Sequence, residues 1–220
     1  FTQGRIQADQ VLIEANGHIG SSSTPITLFS STNGGTVTVA ASTQNGSPSA
    51  RGSIFLDAGS DGSGAFPAFA TDVVVGTVED LVCVDGTGNP MLSESGVVDA
   101  EDICIDVING TLTLEDNVEA RDDVALEASG DVTLEGEIIT TASSSDIGVE
   151  STGGSIIDGN AAAANITTNN GDVALRAGVA IGAGDEIELV NSSTGTLDFA
   201  ADANGGDIDV SIDSNTTTIA

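Results

Sequence analysis

Carboxylates dominate the side chains of this sequence that could do chemistry. Its 220 residues include 34 Asp and Glu, four Arg, no Lys, a single histidine and two cysteines. The acids gather at Asp99, Glu101, Asp102 and Asp106, at Asp122 and Asp123, and at Asp207, Asp209 and Asp213. Paired carboxylates can serve as acid and base in cleaving polysaccharides. Such sites also need aromatic or basic side chains to hold a sugar, and the chain has no Trp, Tyr or Lys. The clusters therefore read as a solvated face, and the chain as a protein that is not an enzyme.

Metal binding is the next chemistry to weigh. The loops Asp57-Ala-Gly-Ser-Asp61-Gly and Asp85-Gly-Thr-Gly-Asn89 bring hard oxygen ligands together, so Asp57, Asp61, Asp85 and Asn89 are the expected ligands of a Ca²⁺ ion. Neither loop follows the helix-loop-helix calcium pattern, and the glycine-rich nonapeptide calcium repeat is absent. No motif requires a cofactor. His18 lies in a glycine-rich turn, and without a second imidazole it cannot build a multi-histidine metal site. Cys83 and Cys104 sit mid-strand in similar contexts, Leu-Val-Cys-Val and Asp-Ile-Cys-Ile. Their separation is close to the roughly 20 residues of one solenoid coil. If it is one coil, they face each other within disulfide range, and a structural Cys83–Cys104 bridge is expected. Buried free thiols are the alternative, since no neighbouring group suggests redox work. Glycosylation sequons occur at Asn45, Asn109, Asn165, Asn191 and Asn215.

The elements that must carry these residues are short β-runs. Val11–Ala15, Thr36–Ala40, Ser53–Ala58, Asp72–Gly76, Leu81–Val84 and Ile103–Val107 read as strands, followed by Thr111–Glu115, Asp123–Ala128 and Asp131–Gly136. Asp172–Ala177, Glu186–Val190, Thr196–Ala200 and Asp207–Ile212 complete the set. Asp123-Val-Ala-Leu-Glu-Ala128, Asp131-Val-Thr-Leu-Glu-Gly136 and Asp172-Val-Ala-Leu-Arg-Ala177 are near copies, with Val and Leu two apart on one face. Asn-Gly and Asp-Gly dipeptides punctuate the runs and suit either hairpins or the corners of a winding chain. Winding is favoured by the recurring strands and by a core of Val, Ile, Leu and Ala that suits a narrow interior. The expected fold is all-β, a parallel β-helix or β-solenoid, in a single repetitive domain over residues 1–220. At about 20 residues per coil it would have about eleven rungs and a length of about 50 Å.

The stretch Gly17-His-Ile-Gly20-Ser-Ser-Ser-Thr-Pro25-Ile26, after Val11-Leu-Ile-Glu-Ala15, resembles an element of large repetitive bacterial surface proteins, the filamentous-haemagglutinin-like adhesins. The Gly-Asp-Val-x-Leu units at Gly130–Leu134 and Gly171–Leu175 resemble the same family. The resemblance implies a right-handed parallel β-helix, export from the cell, and a role in adhesion or matrix building.

A formal charge of −30 repels nucleic acid and anionic headgroups and attracts cations and basic partners. No run of about 18 apolar residues occurs, so no membrane span is expected. The leading expectation is an extracellular or cell-surface structural or adhesive module, a segment of a longer protein. Its partners would be copies of itself, neighbouring repeats, or a surface glycan or protein receptor. A calcium- or carbohydrate-binding module is the alternative, and a β-helical polysaccharide-degrading enzyme the third reading.

Overall fold

A computed structural model describes residues 5–43, 51–60, 62, 67–79, 93–160, 163–213 and 217–219, and every regular element among them is a β-strand. The chain winds as a parallel β-solenoid. Along one face nine strands stack in parallel, running from Arg5–Gln7 through Ile26–Phe29, Ile54–Ala58, Ile103–Val107, Val124–Ala128, Ile147–Ser151, Asp172–Ala177 and Leu197–Asp202 to Thr217–Ile219. A second sheet of 12 strands supplies the rest of the wall. It has two runs that meet at the long strand Gly35–Ser42, whose first half pairs with Thr71–Val75 and whose second half pairs with Gln10–Glu14 and Val97–Ala100. A typical coil therefore has three short strands, as in Ile103–Val107, Leu112–Leu114 and Val118–Ala120.

Side-chain alternation drives this winding. In Val124–Ala128 the residues Val124, Leu126 and Ala128 are buried while Ala125 and Glu127 face out. Leu112, Leu114, Val118 and Ala120 close the same interior at 0% exposure, and one apolar cluster runs through all the coils. Phe199 is the aromatic residue of that cluster among the described residues, as a narrow interior of small aliphatic side chains demands, whereas Phe29 is buried outside it, edge-on to Phe69 at 5.4 Å and beneath Arg5. Among the described residues, Asn-Gly dipeptides fall at turns and bends between strands. Asn170 takes a φ of 63°, and at Gly171 a Cβ would lie 1.7 Å from the Ser145 carbonyl oxygen of the coil before.

Acids and amides at or just before the strand starts tie coil to coil. The Ser155 N–H donates to Asp131 Oδ1 at 2.8 Å, that of Asp146 to Asp123 Oδ1 at 2.8 Å, and that of Thr111 to Asp72 Oδ1 at 2.9 Å. Asn117 Oδ1 accepts from Glu137 N–H in the same manner at 3.0 Å. Each side chain thus satisfies a backbone donor one coil away, and the three Asp do so with charge-assisted bonds, which are stronger than the neutral one from Asn117.

The coils are less regular than the sequence suggests. Ile103 pairs with Val124, Val124 with Ile147, and Ile147 with Val173, so each of these turns takes up more chain than the one before it. Ile54 pairs directly with Ile103, so the coil between them is more than twice as long as the next. That coil carries an antiparallel pair, Thr77–Glu79 with Ser93–Ser95, that forms a separate two-stranded sheet. Among the described residues nine strands stack on the long face, against about eleven rungs expected, and they span about 40 Å at about 4.8 Å per coil. The near copies at Asp123 and Asp131 are not stacked on each other. They lie in one coil, on different faces.

Candidate functional site

The outer surface of the nine-stranded face carries an open groove of about 790 Å³. Its floor is a file of small residues in register, Cys104, Ala125, Gly148, Ala174 and Ala200. Two residues further along each strand stands a file of charged side chains: Asp57, Asp106, Glu127, Glu150, Arg176 and Asp202. On the opposite side of the floor, Asp146, Asp172 and Asp198 line a continuation of the same surface. The two charged files are four residues apart along each strand, about 13 Å.

Each strand positions its member by the same alternation that fills the core. Ile105, Leu126 and Val149 point inward, so Asp106, Glu127 and Glu150 must point outward. Parallel register then sets like charges one strand spacing apart, where each pair costs roughly 0.9 kcal/mol in water and more where partly buried. Burial pushes Asp57 above the usual carboxylate range. It does the same to Asp106, with the charge of Asp57 adding to the effect, and to Glu127, with Asp106 and Glu150 adding. Arg176 meets Glu150 at 3.7 Å and is the cation within the file. Along the Asp file, Asp146 is also raised, first by burial and then by Asp123 and Asp172.

The expected site residues fare differently. Asp57 lies on the strand Ile54–Ala58 as the first carboxylate of the file. Asp61, Asp85, Asn89 and Cys83 lie outside the described residues, as does the run Leu81–Val84. Among the described residues, no three His, Cys, Asp or Glu side chains are placed to share a metal ion. Cys104 is a free thiol. Its register neighbours are Ala125 on the coil after it and Phe55 on the coil before it. The disulfide expectation equated the spacing from Cys83 to Cys104 with one coil. The long coil from Ile54 to Ile103 contains position 83 and removes that basis.

The first acidic cluster divides in space: Glu101 and Asp102 stand beside Asp122 and Asp123 of the next coil, where Asp122 is raised by burial and then by the charges of Asp123, Asp102 and Glu101. Asp99 pairs with Arg51 at 3.2 Å, Glu101 pairs with Arg121, and Asp102 accepts the Ser53 hydroxyl at 2.8 Å. Only Asp106 of that group enters the groove. His18, Ser53 and Asp102 do come together, but His18 Nδ1 accepts the Ser53 backbone N–H at 2.9 Å while the hydroxyl is donated to Asp102. A nucleophilic triad needs the hydroxyl donated to the imidazole, so this trio fastens a turn to its neighbouring coil.

Sequence reasoning did not assemble the groove, although one signal was present. Asp102-Ile-Cys-Ile-Asp-Val107, Asp123-Val-Ala-Leu-Glu-Ala128, Asp146-Ile-Gly-Val-Glu-Ser151 and Asp172-Val-Ala-Leu-Arg-Ala177 share one template. Its third position supplies the floor and its fifth the charged file. No family model, curated protein or solved structure matches this chain.

Proposed function

We propose that this chain is an extracellular structural or adhesive module, a stiff acidic rod of the kind built into large repetitive surface proteins. The observation that carries the reading is the continuous stacking of parallel coils around one aliphatic core. Such a stack converts sequence length directly into reach. Its mechanism is geometric: it holds a surface away from the cell or contributes length to a filament. Among the described residues, the outermost rungs keep apolar surface partly open. Ile6 and Ile13 at one end and Val210 and Ile212 at the other are only partly buried, whereas equivalent central positions are 0–2% exposed. Open strand edges recruit further strands, so the partner is more solenoid or a second copy. Electron microscopy of the purified protein, with and without calcium, tests this. Rods longer than the single chain support it, and compact particles at every concentration count against it.

The groove supports a second reading, a module that binds or cleaves an extended glycan. Carboxyls of raised proton affinity can act as general acids, and the low floor lets a polymer lie along the file. No Trp or Tyr platform accompanies them anywhere in the chain. New reducing ends released from polysaccharides by the native protein, but not by an Asp106→Asn variant, would favour this reading over the structural one.

A further inference from the structure

We infer that the charged file of the nine-stranded face is a proton-sensitive element that makes the solenoid more stable in mild acid than at neutral pH. The geometry carries the argument. Asp57, Asp106, Glu127 and Glu150 occupy equivalent positions on four successive strands, so folding alone forces four carboxylates into contact range. In an unfolded chain the same residues are separated by at least a full coil of sequence. Arg176 pairs with Glu150 at one end of the file, and among the described residues no cation stands beside Asp57, Asp106 or Glu127 in the register. Arg176 and Asp202 follow it along the face. Thr27 and then Arg5 precede it in the same register. Ser22 and Ser23 overhang one end, Cys104 lies on the floor beside it, and uncharged Thr152 and Asn204 lie just beyond its far end. The opposing acids Asp146, Asp172 and Asp198 have the same sign.

The direction follows from linkage. Unfolded carboxyls titrate near about 4, whereas burial, with like charge adding to it at Asp106 and Glu127, makes Asp57, Asp106 and Glu127 hold their protons to higher pH in the folded protein. Between those limits the folded state binds more protons than the unfolded one. Stability is therefore gained as pH falls through the folded values and lost as pH rises through them. Acid usually unfolds proteins by protonating paired carboxylates, and this file reverses that sense locally.

Thermal melting from about pH 7.5 to about pH 4.5 at fixed ionic strength tests the inference. The native protein should gain roughly 4–8 °C in Tm across that range. The double variant Asp106→Asn, Glu127→Gln should melt higher than native at neutral pH and lose at least about half of the pH response. Asp185→Asn, which removes an exposed acid in a bend away from the groove, should keep the full response and controls for overall charge. The single variant Glu127→Gln repeats the test if the double variant folds poorly. A second readout is independent of melting. Cys104 is held in its thiol form by burial and by Asp106, Asp57 and Glu127, so its alkylation, followed on the Cys104 peptide, should accelerate several-fold in the double variant. A native Tm that is flat or falls with acid overturns the inference. So does a double variant with the native pH response, or an unchanged Cys104 alkylation rate.

Discussion

Asn165 donates from Nδ2 to Asp158 Oδ1 at 2.8 Å, joining two residues that are 0% and 9% exposed. The same amide reaches the Leu134 carbonyl at 3.3 Å on the coil before, and its Oδ1 accepts the Glu188 N–H at 2.8 Å from the coil after. One side chain thus bridges three coils and has no room for a glycan, which removes Asn165 from the sequons that a sugar could occupy. Asn191, 6% exposed and bonded to Asn170 and Gly195, is removed on the same ground. Asn165→Ala leaves the Glu188 N–H without its acceptor and should cost about 1–3 kcal/mol in urea unfolding. Asn109→Ala, at a half-exposed corner, should stay within about 0.5 kcal/mol.

Strand existence was legible because alternation is local. Val124, Leu126 and Ala128 declare a buried face from their own spacing. Pairing was not legible, because it depends on how much chain each corner consumes. The Cys83–Cys104 spacing looked like a coil, yet the antiparallel pair after Thr71–Val75 stretches that coil from Ile54 all the way to Ile103. Strands such as Val118–Ala120 and Ile156–Asp158 are three residues long and too short to show a period. The groove was hidden for a related reason. Asp106 looked like a member of an acidic cluster with Asp99 and Asp102, whereas its spatial partners are Asp57 and Glu127 from other coils. Sequence proximity groups acids along a strand and its corner, and only register groups them across strands.

Two glycines predict opposite outcomes. At Gly171 a Cβ would lie 1.7 Å from the Ser145 carbonyl oxygen, a backbone contact that cannot yield. Gly171→Ala should therefore destabilise by more than about 3 kcal/mol, read as a lowered urea midpoint. Gly148 has nothing within 4 Å of its would-be Cβ and sits between Ala125 and Ala174 on the groove floor. Gly148→Ala should stabilise by about 0.4–1 kcal/mol by restricting the unfolded chain. A destabilised Gly148→Ala protein would mean that the floor is not the open surface described.

Leu126 tests the core itself. It is 2% exposed, stacks between Ile105 and Val149 and has no polar partner to lose. Leu126→Ala removes three carbons from an interior already short of bulk and should cost about 2–5 kcal/mol. The loss should appear as one cooperative transition, since a single apolar cluster runs through the coils. A separate early transition for the central coils would show that the solenoid melts in sections.

Cys104 predicts a distinctive pattern of thiol chemistry. It is a free, half-buried cysteine between Phe55 and Ala125, and burial, followed by the charges of Asp106, Asp57 and Glu127, pushes its thiol upward. The thiolate is the nucleophile, so a raised thiol stays protonated near neutral pH and reacts slowly. Iodoacetamide should therefore label the Cys104 peptide without any reductant, at a rate at least about threefold below that of an exposed peptide cysteine near its ordinary value of about 8.5. Raising the pH should restore the rate, because it raises the fraction of thiolate, the reacting form. Denaturation should restore it at once, because unfolding disperses the three carboxylates. A Cys104 peptide that is labelled only after reduction would show a disulfide, and the coil would then have to be redrawn to bring a second sulfur within reach.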